Sequence, residues 1–99
     1  MGIIQTNIDK IIQLCVSHKV KKLYAFGSVV SNSLNKKSDI DLLVSFQNID
    51  LFNYFDNYLD LKNKLENLLN RKVDLVEEQT LKNPVLIRSI DRSKQKIYG

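Results

Sequence analysis

Two aspartates one residue apart, Asp39 and Asp41, and a glycine-serine pair, Gly27-Ser28, are the residues of this sequence best suited to chemistry. They lie in Tyr24 to Val44, YAFGSVVSNSLNKKSDIDLLV, where an apolar run ends at Gly27-Ser28, ten residues follow, and Asp39-Ile40-Asp41 opens a second apolar run. Strand side chains alternate between faces, so Asp39, Asp41 and Leu43 share one side while Ile40, Leu42, Val44 and Phe46 take the other. At a rise of ~3.3 Å per residue the two aspartate Cα atoms stand roughly 6.6 Å apart. From there two short carboxylates can converge on one divalent cation or bracket a pair, and metal pairs in phosphoryl transfer sit about 3.5–4 Å apart. Two like charges on one face of an apolar strand are costly without a cation to compensate them.

Gly27-Ser28 supplies the other half. Glycine lets backbone approach a ligand closely, and a serine between a strand and a short helix offers its hydroxyl and backbone N–H groups to phosphate oxygens. Strand, Gly-Ser turn, short helix and Asp-x-Asp strand together read as a phosphate cradle facing a metal site. A nucleoside triphosphate with Mg²⁺ carries both charges in one substrate.

Gly27-Ser28, ten residues, then Asp39-x-Asp41 resembles the signature of the DNA polymerase β-type nucleotidyltransferase superfamily, and the chain is similar in length to its minimal nucleotidyltransferase (MNT) branch. Either half alone is a weak signal; together at this spacing, each at a strand end, they are specific. The similarity runs from about Val20 to Gly99. It implies that Gly27 and Ser28 bind the nucleotide, that Asp39 and Asp41 ligate metal, and that a third acidic residue stands on a later strand. Asp74, central in the apolar run Lys72-Val73-Asp74-Leu75-Val76, matches that position. The resemblance makes it a third metal ligand that helps activate the attacking hydroxyl. Ser31-Asn32 departs from the Arg-Gly that many members carry, which removes one phosphate contact.

Members of this branch are commonly the antitoxin half of HEPN/MNT toxin–antitoxin pairs. The resemblance therefore implies Mg²⁺-dependent transfer of a nucleoside monophosphate, AMP from ATP, to a hydroxyl such as a tyrosine on a partner HEPN toxin. The alternative is a catalytically weak or inactive antitoxin that neutralises its partner by binding alone.

The elements that must position these groups are legible in the hydrophobic pattern. Ile8, Ile11, Ile12, Cys15 and Val16 follow helical spacing, with Thr6 as the expected N-cap and the basic residues from Lys19 to Lys22 closing the helix. Leu23 to Phe26 reads as an interior strand. Val29, Val30 and Leu34 suit a short helix, Asn35 to Ser38 a loop, and Asp39 to Phe46 a strand. Asp50 is placed to cap a helix from Leu51 to Leu69 whose core stripe is Leu51, Tyr54, Phe55, Tyr58, Leu61, Leu65, Leu68 and Leu69. Phe52 and Leu59 remain for a protein partner. Glu77-Glu78 reads as solvent-exposed, past the end of the Asp74 strand. Asn83-Pro84 starts a short helix that docks through Val85, Leu86, Ile87 and Ile90, and Arg92 to Tyr98 is a basic, loosely held tail anchored by Ile97 and Tyr98.

The expected fold is α/β (α+β), a small mixed sheet of three to four strands flanked by about four helices, in one domain over residues 1–99. With 43% hydrophobic and 26% charged residues the composition is that of a globular chain. No run approaches the ~20 apolar residues of a membrane span and the N-terminus lacks a signal-peptide layout, so a cytoplasmic location without a membrane partner is expected. Cys15 is the single cysteine and His18 the single histidine; they read as a small buried apolar residue and a helix-end residue. The net charge of +4 permits an acidic partner. The lysines and arginines are not interleaved with base-stacking aromatics, so nucleic acid is not the expected one. Lys36-Lys37 lies in the connection that would border a triphosphate.

Overall fold

The computed structural model describes residues 2–31 and 38–99. In chain order these form helices α1 (Gly2–Thr6) and α2 (Ile8–Ser17), strand β1 (Val20–Phe26), a single-turn helix α3 (Ser28–Ser31), strand β2 (Ile40–Phe46) and helix α4 (Leu51–Leu69). Strand β3 (Val73–Glu77), a 3₁₀ turn (Glu78–Thr80), helix α5 (Pro84–Ser93) and strand β4 (Gln95–Tyr98) follow. The four strands make one mixed sheet in the order β3-β2-β1-β4. β1 is antiparallel to both β2 and β4, whereas β2 and β3 run parallel, with α4 as the crossover that a parallel pair requires. This is the mixed α/β fold expected, with four strands and, among the described residues, five helices.

One face of the sheet carries the core. Leu23 and Ala25 of β1, Ile40, Leu42 and Val44 of β2, and Val73 and Leu75 of β3 are buried there beneath Ile11 and Cys15 of α2 and Leu61, Leu65 and Leu69 of α4. Burial of an aliphatic side chain of this size stabilises by ~1.5–3 kcal/mol. Cys15 is a buried free thiol whose pKa burial pushes up to about 12, so it packs as an apolar group. The opposite face is covered only in part. Leu43 and Ile90 are both buried on that side, where they line one hollow with Ile87 of α5.

Helix ends follow side-chain chemistry. Asp50 caps α4 by accepting from the Phe52 N–H at 2.8 Å, and Asn83 caps α5 by accepting from Val85 and Leu86, with Pro84 in the first turn. At the other end of α4 Asn70 takes the left-handed conformation, φ 53°, which asparagine tolerates better than most residues.

The structure corrects several expectations. Thr6 does not cap α2: its hydroxyl donates to the Gly2 carbonyl within α1, and Asn7 occupies the junction. Lys21 and Lys22 do not close a helix but lie in β1, and the reversal into that strand is made at Lys19, φ 57°. Val16, Leu51, Phe55, Val85 and Leu86 are exposed rather than core. Glu77 is the half-buried last residue of β3, and its side chain accepts from the Gln79 N–H to cap the 3₁₀ turn. The basic tail is an ordered edge strand, because Gln95, Lys96 and Tyr98 pair with β1. Leu34, Asn35, Lys36 and Lys37 lie outside the described residues. No described helix is long and apolar enough to cross a membrane.

His18 is structural. It caps α2 and is buried, its Nδ1 2.7 Å from the Leu14 carbonyl and its Nε2 2.6 Å from Asp60 Oδ2 on α4. Asp60 also meets Lys64 at 2.9 Å. Hydrogen bonds from His18, then from Lys64, hold the Asp60 carboxyl below its ordinary value of 3.8. A carboxylate with a depressed folded-state pKa contributes stability that is full above the unfolded value and lost as pH falls through the folded one. Urea unfolding should therefore find Asp60→Asn less stable than wild type at neutral pH, with the gap closing only at pH below about 3.8. A gap that instead widens in acid would contradict this pairing.

Candidate active site

β1 ends at Phe26, and the chain turns at Gly27 with φ +72°, in the left-handed region that L side chains rarely adopt. The turn also brings backbone against a carboxylate. A Cβ at position 27 would stand 2.5 Å from Asp41 Oδ2. The Gly27 carbonyl accepts from the N–H groups of Val30 and Ser31, which closes α3 directly behind the turn. Ser28 opens that helix, so its own N–H and that of Val29 have no intrahelical acceptor.

β2 re-enters the sheet beside this turn. Asp39 is exposed and immediately precedes the strand, a shift of one residue from the expected start, while Asp41 is its second residue and half-buried. Asp41 lies in register with Phe26 on β1 and with Asp74 on β3. Adjacent strands are about 4.8 Å apart, and cross-strand partners in a ladder point to the same face. Asp74 is exposed, on the side of β3 opposite the buried Val73 and Leu75. Asp41 and Asp74 thus share one face at one end of the sheet, with Asp39 just ahead of β2. Burial in the first place, then the charges of Asp74 and Asp39, raise the Asp41 carboxyl above its ordinary value of 3.8.

Sequence reading missed the groups that hold this arrangement. Arg71, just after the α4 cap, reaches the Ser38 carbonyl with Nη1 at 3.2 Å, and the Ile40 N–H donates to the Lys72 carbonyl at 2.9 Å. Together they tie the entry to β2 onto the start of β3. Tyr58 donates its phenol hydrogen to the Leu75 carbonyl. Burial, then the charges of Asp74 and Glu77, push the Tyr58 pKa upward. Tyr54 is raised to about 12, first by burial and then by Glu77. A tyrosine pair at helical spacing gave no signal beyond core packing; only the pairing of β3 beneath α4 reveals their proximity to the acidic cluster. From the basic tail, Lys94 is paired with Asp91 at 2.9 Å and stands over the Tyr24 ring at 4.6 Å.

The donor set suits a hard divalent cation. All three side chains offer carboxylate oxygen, the ligand type that Mg²⁺ prefers, and their mutual repulsion at Asp41 is what a cation would relieve. They are not clamped together in advance: among the described residues no group of three His, Cys, Asp or Glu side chains is closed around a single ion position. Mg²⁺ commonly keeps several waters and takes only one or two carboxylates plus substrate phosphates, so an open set fits it better than a closed cage. Asn32, part of the departure noted in the sequence, lies outside the described residues, while Ser31 ends α3.

Comparison with known proteins places this geometry. Residues 9–99 match the family described as polymerase beta, nucleotidyltransferase. A Methanocaldococcus jannaschii relative, provisionally named a protein adenylyltransferase, is 40% identical over 76 residues, covering 75% of this chain and 73% of its own length. A crystal structure of a toxin–antitoxin with AMP-PNP superposes with a TM-score of 0.73 at 28% identity, covering 94% of this chain and 73% of that one. A tri-AMPylated Shewanella oneidensis HEPN toxin in complex with MNT antitoxin gives a TM-score of 0.67 at 28% identity, covering 96% of this chain and 71% of the matched chain. The match over residues 9–99 includes the glycine turn and all three aspartates, and on it this chain belongs to the polymerase β nucleotidyltransferase family.

Proposed function

We propose that this chain is the antitoxin of a HEPN/MNT pair and transfers AMP from ATP to a hydroxyl of its HEPN toxin, as one catalytic domain over residues 1–99. The observation that carries the reading is the register of Asp41 with Asp74, which sets carboxylates from two strands side by side next to the Gly27 turn. Its kinship with a protein adenylyltransferase, and its likeness to antitoxins seen with AMP-PNP and with an AMPylated toxin, support the chemistry and the partner.

The resemblance supplies the roles. Gly27 and Ser28 hold the β/γ end of the triphosphate with backbone N–H groups and the serine hydroxyl. Asp39, Asp41 and Asp74 hold Mg²⁺, which when bound neutralises the triphosphate and stabilises the charge that develops on it. Asp74, exposed on its own strand, faces the acceptor and draws the proton from the attacking hydroxyl. The hydroxyl oxygen bonds to the α-phosphorus, the bond from that phosphorus to the bridging oxygen breaks, and pyrophosphate leaves with the electron pair.

The experiment is direct. The chain is incubated with Mg²⁺, ATP labelled at the α-phosphate and a HEPN-type protein. Label on the HEPN protein, with loss of its toxicity, is the expected result. Neutralisation with no label on the partner would reduce the chain to a binding antitoxin.

A further inference from the structure

The longest helix leaves an apolar stripe in water. Leu51 is 90% exposed, Phe52 94% and Phe55 64%, with Leu59 one turn further on, and their spacing puts them along one side of α4. An exposed cluster of this kind marks an interaction surface. Along its margin runs a groove of about 430 Å³ between α4 and β3, lined by Tyr54, Phe55, Tyr58, Leu75, Val76 and Glu77. One end of the groove lies beside the acidic cluster, since Leu75 and Val76 directly follow Asp74 on β3.

What can fill the groove is restricted by hydrogen bonding. β3 is the outer strand on this side of the sheet, but its outward edge is already engaged by α4. The Val73 N–H donates to Glu66 Oε2 at 2.9 Å and the Leu75 carbonyl accepts from Tyr58. An added β-strand would find those positions taken, so a side-chain-anchored occupant such as a helix fits better. Its charge is also restricted. The stripe's nearest charges are acidic: Asp50 at the start of α4 and Asp56 beside the stripe are exposed, and Glu77 adds a carboxylate at the groove. A positively charged protein thus presents an acidic, apolar side next to its catalytic end.

We propose that the Leu51–Leu59 stripe of α4 and the adjoining groove are the docking face for the acceptor protein, which meets it with a lysine- or arginine-bearing helix carrying apolar anchors. This rests on the adenylyltransferase reading above and names where the acceptor sits. A protein that delivers a hydroxyl to Asp74 approaches along the groove that opens beside it.

The test titrates a HEPN-type acceptor protein by calorimetry into the full chain, using wild type, the double variant Phe52→Asp/Phe55→Asp, and Asp41→Asn. Both phenylalanines are exposed, so the double variant keeps its circular dichroism and its affinity for AMP-PNP. It is expected to bind the acceptor about 100-fold more weakly, as loss of aromatic hot spots does. Its KM for the acceptor rises in step. Asp41→Asn is expected to bind the acceptor like wild type and transfer nothing, which separates docking from chemistry. An unchanged acceptor affinity in the double variant overturns the docking face, and so does a wild-type chain that does not bind the acceptor at all.

Discussion

Asp41→Asn is expected to lower AMP transfer by about a thousandfold or more, about 4 kcal/mol of barrier, in a protein that folds as well as wild type or better. Asp41 stands in register with Asp74, follows Asp39 by two residues, and has one carboxylate oxygen against the Gly27 turn. Its ionised form is also the one the fold accommodates least. Burial and the two neighbouring charges raise its pKa above 3.8, so the native state holds the proton more tightly than the unfolded chain. Stability associated with this group is therefore full below the unfolded value and falls as pH rises through the folded one. An amide removes that loss. Without divalent cations at neutral pH, the melting temperature of Asp41→Asn should exceed that of wild type. Mg²⁺ with a non-hydrolysable ATP analogue should raise the wild-type value and leave the variant unmoved. A variant that kept substantial transfer would show that the aspartate is not a ligand.

Gly27→Ala should also produce a large loss of transfer, by a different route. The φ of +72° costs an L residue about 1–2 kcal/mol, which a folded domain survives. The contact with Asp41 is more serious. A methyl carbon 2.5 Å from Asp41 Oδ2 cannot be accommodated unless that carboxylate moves. A displacement of about 1 Å at a reacting centre costs on the order of a hundredfold in rate. The expected result is a folded variant, destabilised by about 1–2 kcal/mol in urea titrations, whose transfer rate falls about a hundredfold. Loss of rate no larger than the loss of stability can explain would mean that Gly27 shapes only the turn.

The features legible in the sequence were those fixed by short-range rules. The glycine before Ser28 announced a backbone that needs no Cβ, and the Gly27 φ and its approach to Asp41 bear that out; strand alternation applies to Asp41 but not to Asp39, which stands just ahead of β2. Asp50, Asn83 and Pro84 announced two helix starts through capping chemistry that depends on neighbours only. What depends on pairing between distant segments was not legible. The register that sets Asp41 against Asp74 is decided by how β2 and β3 fit under α4, and no periodicity encodes it. β4 looked like a tail because only Ile97 and Tyr98 of its four residues favour a strand, too few to read as one from sequence; pairing with β1 makes it a strand. The α4 stripe was read too wide. Apolar residues cover more of that helix than the sheet can bury, and only the packing shows that Leu51 and Phe55 fall on the uncovered margin.

Asp74 is the residue on which the account turns, because it alone comes from a different strand and its role came from resemblance rather than from local pattern. The most direct measurement is transfer of α-phosphate label from ATP to the HEPN-type protein by Asp74→Asn, run beside acceptor binding and circular dichroism. The account predicts a folded variant that binds the acceptor normally, loses label transfer by about two orders of magnitude or more, and is not rescued by excess Mg²⁺. Transfer at the wild-type rate from that variant would contradict it, and would leave only Asp39 and Asp41 as the acidic part of the site.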